Sequence, residues 1–302
     1  MVTWAETATA LAADQMGNED PRGHAAELLR RALAALPVQA RRGRIRLRAD
    51  AGYFAGQLAR AALAADVEFA IGAKRIAPLW RLLDSIAEGD WTDALDMDGA
   101  QVAVAAYCPD WWPATTRLLI RRVRLAPAQI SADPRARRRR TLHPDQRALP
   151  IAELAEADAV YGYSFIVPTS TCPHRTRPPG SSTGTSTGPR SRRMRNAKHG
   201  GALRYLPSGY PQVNKPWMWG ALVAVSITGW LHQLTATPRA GGKLAGHGVR
   251  DGQAMITTLR HRLIRVPARL VRHAGALDLR LPPGHHLLDE ILARTRALPA
   301  TP

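Results

Sequence analysis

The stretch Arg-Ile-Arg-Leu-Arg-Ala-Asp-Ala-Gly-Tyr-Phe at residues 44–54 decides how the rest of the chain is read. From residue 45 apolar and basic side chains alternate as far as Ala49, the period of a half-buried strand that ends in Asp50. Gly52 supplies a turn, and residues 53–65 carry helical spacing. Asp50 therefore stands at the C-terminal lip of a strand, where ligands of α/β sheets bind. Two readings of it stay open. A carboxylate in that place can hold a metal ion, whereas an Asp before Ala-Gly at a strand end more often caps a turn or the helix that follows.

Working outward, the flanking segments repeat the alternation of helix and strand. Asp20-Pro21 opens a helix with Leu28, Leu29, Leu33 and Leu36 on one face, and Pro37 closes it. Residues 67–72 form a second alternating strand, so the order helix, strand, helix, strand predicts an α/β sheet with crossover helices. A helix over 76–87 and strands over 101–107, 115–125 and 161–167 follow, with Asp-Trp-Trp-Pro at 110–113 as a hairpin-like break. Residues 1–18 are Ala-rich and show no clear period.

The 302 residues hold 42 Lys and Arg against 24 Asp and Glu, a net charge of +18. That balance favours a polyanionic partner, nucleic acid first and acidic lipid second. The excess is carried by arginine in a chain also rich in Ala, Gly and Pro, whose codons are all GC-rich, so base composition accounts for part of it. Cys108 and Cys172 lack the paired spacing of a zinc or redox site, which fits a reducing cytoplasm. Residues 1–15 contain Glu6 and Asp14 and have no basic region before an apolar core, so no signal peptide is expected. The apolar run 217–231 is shorter than the ~20 residues of a membrane span and predicts a buried helix.

Arg137, Arg138, Arg139 and Arg140 form a basic run in a Pro-bearing loop, read either as a solvated patch or as a phosphate contact. Apart from Cys172 and His174, residues 168–188 are Pro, Thr, Ser, Gly and Arg without periodicity, the composition of a disordered linker. A basic amphipathic helix is expected over 255–270, then a Pro-Pro-Gly turn and a short last helix. His24, His143 and His199 lie too far apart in sequence to suggest a metal site and read as exposed or hydrogen-bonded histidines.

Four blocks carry a resemblance. They are Arg-Ala-Asp-Ala-Gly-Tyr at 48–53, Val-Glu-Phe-Ala-Ile-Gly at 67–72, Thr-Arg-Leu-Leu-Ile-Arg-Arg-Val at 116–123, and Ala-Lys-His-Gly-Gly-Ala-Leu-Arg-Tyr-Leu-Pro-Ser-Gly at 197–209. Together they resemble the DDE transposases of bacterial insertion sequences, in particular the insertion-sequence thirteen-eighty family. The resemblance implies an α/β ribonuclease-H-like core, here incomplete at its N-terminus, with a β-rich insertion. Residues 1–76 would be the first part of the core, 77–160 the insertion, 161–167 a core strand, and 195–302 the helical remainder and tail. In such enzymes two Asp and one Glu hold two Mg²⁺ ions that clamp the attacking and leaving oxygens of a phosphodiester.

Asp50 matches the second acid of that triad. The strand with the first acid would precede residue 1, and Ser191 falls where the pattern Glu-x-x-Phe-Arg-Asp-Ala-Lys-His-Gly has its Glu. Read from the third base of one set of synonymous codons, the stretch from Pro168 yields Asn-Leu-Asp-Val-Ser-Thr-Pro-Asp-Lys and later Val-Glu-Glu, segments that resemble the family. The expectation is a frameshift entered near Pro168 and reversed near Met194, with low order over 168–194. The resemblance thus implies a degenerate transposase, catalytically inactive, without productive Mg²⁺ binding, still a DNA binder and able to form a homodimer. Its DNA contacts would come from Arg46, Arg48, Arg137 to Arg140, Arg195, Lys198 and Arg204. The alternative is a non-catalytic basic nucleic-acid-binding protein with a genuine linker.

Overall fold

The computed structural model describes residues 1–5, 9–14, 20–94, 97–114, 116–169, 197–235, 237–239, 243–245, 249–250, 253–254 and 256–298. The chain divides into two units, one of residues 16–184 and one of residues 1–15 with 185–302. Strand β1 (Val2–Thr3) pairs antiparallel with β2 (Ala10–Ala12) and belongs to the second unit.

In the first unit, Asp20 accepts a hydrogen bond from the Arg22 N–H at 3.0 Å and caps a 3-10 turn, Pro21–His24. Helix α1 (Ala25–Ala35) follows and buries Leu28 and Leu29, as its spacing predicts. After the short α2 (Val38–Arg41), strand β3 (Arg46–Ala49) runs parallel to β4 (Glu68–Gly72), and α3 (Gly56–Ala64) connects them. The expected crossover unit is therefore present.

Helix α4 (Ala77–Asp84) leads into β5 (Thr92–Asp93), β6 (Ala100–Ala106) and β7 (Arg117–Arg124). Beyond α5 (Pro144–Ala148) and α6 (Ile151–Glu156), β8 (Tyr161–Pro168) inserts between β4 and β7. The six strands lie in the order β3, β4, β8, β7, β6, β5, antiparallel throughout except for β3 and β4. Residues 77–160, expected as an insertion, thus supply three strands of the same sheet.

One face of that sheet carries the core. Phe69 and Ile71 of β4, Phe165 and Val167 of β8, and Leu118 and Ile120 of β7 pack with Leu29 of α1, Leu58 and Ala62 of α3 and Leu79 of α4. Register aligns them, since Ile71 opposes Val167 and Phe165 opposes Ile120. Each large side chain buried here contributes about 1.5–3 kcal/mol.

The Asp-Trp-Trp-Pro break does more than reverse the chain. Trp112 is 3% exposed and packs against Phe54 at 4.8 Å and Phe69 at 6.5 Å between ring centroids. The helix expected from residue 53 starts later, because Phe54 turns into this cluster after a 3-10 turn at Ala51–Tyr53. Gly56 then opens α3 against the Trp111 carbonyl, whose oxygen would lie 1.9 Å from an added Cβ.

In the second unit the 217–231 run is helical, within α7 (Pro211–Thr235). It is not buried all round as expected. Met218 and Leu222 pack with Ala13, while Trp217, Val223, Ile227 and Trp230 are exposed. A run that is apolar on every face carries no orientation of its own, so its packing partner selects the buried side. The Ala10 N–H donates to Ser226 Oγ at 3.1 Å and ties the hairpin to this helix.

Short antiparallel pairs follow, β9 (Thr237–Arg239) with β10 (Lys243–Ala245) and β11 (Val249–Arg250) with β12 (Gln253–Ala254). The single basic helix expected over 255–270 is instead one turn, α8 (Ile256–Leu259), then a π-helical turn, Arg260–Ile264. Arg269 already opens β13 (Arg269–His273), paired with β14 (Ala276–Arg280) through a tight turn. Ala274 and Gly275 there have φ of 46° and 80°, the backbone that two-residue hairpins require. The last helix, α9 (His286–Arg296), follows the Pro-Pro-Gly turn as predicted. Among the described residues no helix is long and apolar enough to cross a membrane. From residue 170 to 196, the segment expected to be of low order lies outside the described residues, as do Ser191 and Arg195.

Candidate nucleic-acid interface

Asp50 follows the last residue of β3 and adopts the cap geometry. Its Oδ1 accepts from the Gly52 N–H at 2.9 Å, and its carbonyl accepts from the Tyr53 N–H at 3.0 Å. The turn rests on the end of β4, where an added Cβ on Gly72 would lie 3.1 Å from the Ala51 nitrogen. Burial first, and the Asp50 charge second, push the Tyr53 phenol above its ordinary value. A hard divalent ion takes several oxygen ligands. Among the described residues no three His, Cys, Asp or Glu side chains come together to hold one.

The basic candidates separate by their surroundings. Alternation along the strands places Arg46 and Arg48 of β3, Arg121 of β7 and Ser164 of β8 on the sheet face opposite Phe69 and Ile120. Arg46 Nε lies 3.0 Å from Glu68 Oε2, and Arg44 reaches the same carboxylate at 3.3 Å. Arg121 Nε donates to Ser164 Oγ at 3.0 Å. The basicity of Arg48 is lowered by burial and then by the charge of Arg121 on the same face.

Arg137 to Arg140 is not a uniform patch. Arg137, Arg138 and Arg140 are exposed, whereas Arg139 is buried and its Nη2 donates to the carbonyls of Arg147 at 3.1 Å and Leu149 at 2.8 Å. The phosphate reading of Arg139 is therefore corrected, since its guanidinium holds the end of α5 in place. Arg75 is a neighbour that the sequence reading missed. Its guanidinium donates to the Tyr163 carbonyl at 3.3 Å, and its basicity is lowered by burial and then by Arg137.

Arg122 was missed as well. It is 6% exposed, forms a two-pronged pair with Glu88, and donates Nε to Gln101 Oε1 at 2.8 Å. Its guanidinium lies over the Trp91 ring at 4.2 Å and the Tyr161 ring at 4.6 Å. Arg122 holds the Glu88 carboxyl below the usual carboxylate range. Two adjacent arginines in a strand carry the signal, because one of them has to face the core side.

His143 caps α5, its Nδ1 accepting from the Asp145 N–H at 3.4 Å, which agrees with a hydrogen-bonded histidine, and its ring lies edge-on to Trp80.

In the second unit, Lys198 and Arg204 line an open pocket of about 440 Å³ together with His199, Tyr205 and Trp217. Its walls are a loop seated on α7. Buried Asn214 accepts from the Ser208 N–H at 3.1 Å and donates Nδ2 to the Ser208 carbonyl at 2.7 Å, while Trp217 Nε1 donates to the Ala202 carbonyl at 3.3 Å. Gly201 permits the seating, since an added Cβ would lie 2.8 Å from the Ala197 oxygen and 3.0 Å from Val225 Cγ2.

No family model, no curated protein and no solved structure matches this chain.

Proposed function

We propose that this chain is a degenerate DDE transposase that binds DNA in the cytoplasm and does not perform the family's two-ion phosphodiester cleavage. The observation that carries the reading is the β3–α3–β4 unit. Asp50 stands at the carboxyl end of a strand parallel to β4, beside a sheet face that bears Arg48 and Arg121. Ligands of α/β sheets bind at that edge, and paired guanidiniums suit a phosphate. The Asp50 carboxylate already caps its own turn, and Ser191 occupies the position of the family's Glu. One carboxylate leaves a hard ion largely hydrated and cannot assemble a two-ion clamp.

A basic nucleic-acid-binding protein without this ancestry is the second reading, favoured by the net charge of +18 alone. The two are separated by incubating the protein with sheared genomic DNA of its source and sequencing what it retains. Transposase descent predicts enrichment of inverted repeats that flank the coding region, and uniform recovery supports the second reading. The nucleotide sequence over codons 168–194 is an independent check, since the alternative frame has to encode the family segment for the frameshift to stand.

A further inference from the structure

The pocket on α7 combines cations with rings that the sheet face lacks. Tyr205 is 71% exposed and Trp217 44%, and the Arg204 guanidinium lies 5.1 Å from the Tyr205 ring centroid. Lys198 and His199 line the same cavity and make no hydrogen bond or ion pair among the described residues. The Trp217 ring is not a loose surface group. The Ala202 carbonyl orients Trp217, Asn214 pins the loop at Ser208, and Gly201 lets the loop close onto the helix.

A fixed aromatic surface beside positive charge selects a flat π-system that carries an anion. Duplex DNA keeps its base faces inside the stack, whereas a single strand presents them to an aromatic side chain, which stacks on any base. About 440 Å³ lies within the ~300–1,000 Å³ of small-ligand sites. We propose that this pocket takes one nucleotide of single-stranded DNA, with its base stacked on Trp217 or Tyr205 and its phosphate at Lys198 and Arg204. The proposal rests on the DNA-binding reading above and adds a strand preference to it.

The test measures binding of the full chain to a labelled oligothymidylate, to a duplex of equal length and to free thymidine monophosphate. Trp217→Ala is expected to weaken single-strand binding about ten-fold and to leave duplex binding within about two-fold. Trp217 also holds the loop, so Tyr205→Ala, at a more exposed ring, is the second variant and shifts the same ratio in the same direction. Equal losses from both DNA forms, or no loss from either, overturn the pocket while leaving DNA binding intact. Absence of binding to either form overturns the DNA reading as well. Trp217-sensitive binding of the free nucleotide without binding of the strand overturns the strand as ligand.

Discussion

The sheet unit and the α7 loop use the same residue types in opposite ways. In the sheet unit several of the charged side chains are held by their own chain. Arg122 is enclosed by Glu88, Gln101, Trp91 and Tyr161, Arg139 holds carbonyls, Arg46 meets Glu68, and Asp50 caps its turn. On the α7 loop Lys198, Arg204, Tyr205 and Trp217 face an open cavity. Net charge is thus a poor guide to where a basic protein meets its ligand, because a cation already satisfied by its own chain has less to gain from a phosphate.

The largest expected effect tests whether the Trp112 cluster is core. Trp112→Ala should lower the stability of the sheet unit by about 3–5 kcal/mol in urea unfolding, and a loss under about 1 kcal/mol would break the contrast at its structural end. Next comes Gly56→Ala, expected to cost about 1–3 kcal/mol by overpacking against the Trp111 carbonyl. Arg122→Ala should cost about 2 kcal/mol, mainly through its lost ring contacts, while Lys198→Ala stays within about 0.5 kcal/mol. Equal costs for those two variants would erase the distinction between enclosed and open cations.

The smallest effect is one of pH. Asp20 is lowered from 3.8 to about 2 by its hydrogen bond and charge contact with Arg22, and Glu88 is lowered by Arg122. A depressed folded value means stability that is present above the unfolded value and lost as pH falls through the folded one. The sheet unit should therefore weaken between about pH 4 and pH 2. Asp20→Asn with Glu88→Gln should flatten that loss when tryptophan fluorescence is followed through an acid titration. An unchanged profile would show that these pairs contribute nothing measurable.

Elements with one buried face were legible in the sequence. Period-two alternation placed β3 and β4, helical spacing placed α1 and α4, and Pro or Gly marked their ends. The position of β8 between β4 and β7 was not legible, because strand order depends on pairing between segments far apart in the chain. Trp112 was hidden for a similar reason, since a Trp beside Pro in a break signals a turn and says nothing of what its ring fills. Asp50 was placed correctly at its strand end, and the bond from Gly52 selects the capping reading that the sequence had offered beside the metal one. The pocket residues Lys198 and Arg204 were named from the sequence, whereas Tyr205 and Trp217 were not, because α7 brings Trp217 back to a loop that precedes it.

The most direct test of the central claim is fluorescence anisotropy of a labelled DNA duplex titrated with the full chain from about 50 to 200 mM salt, with and without Mg²⁺. Binding is expected to weaken steeply as salt rises, as it does for a protein that neutralises several phosphates, and the duplex to stay intact after Mg²⁺ is added. Absence of binding at low salt, or Mg²⁺-dependent cleavage that Asp50→Asn abolishes, would contradict the claim.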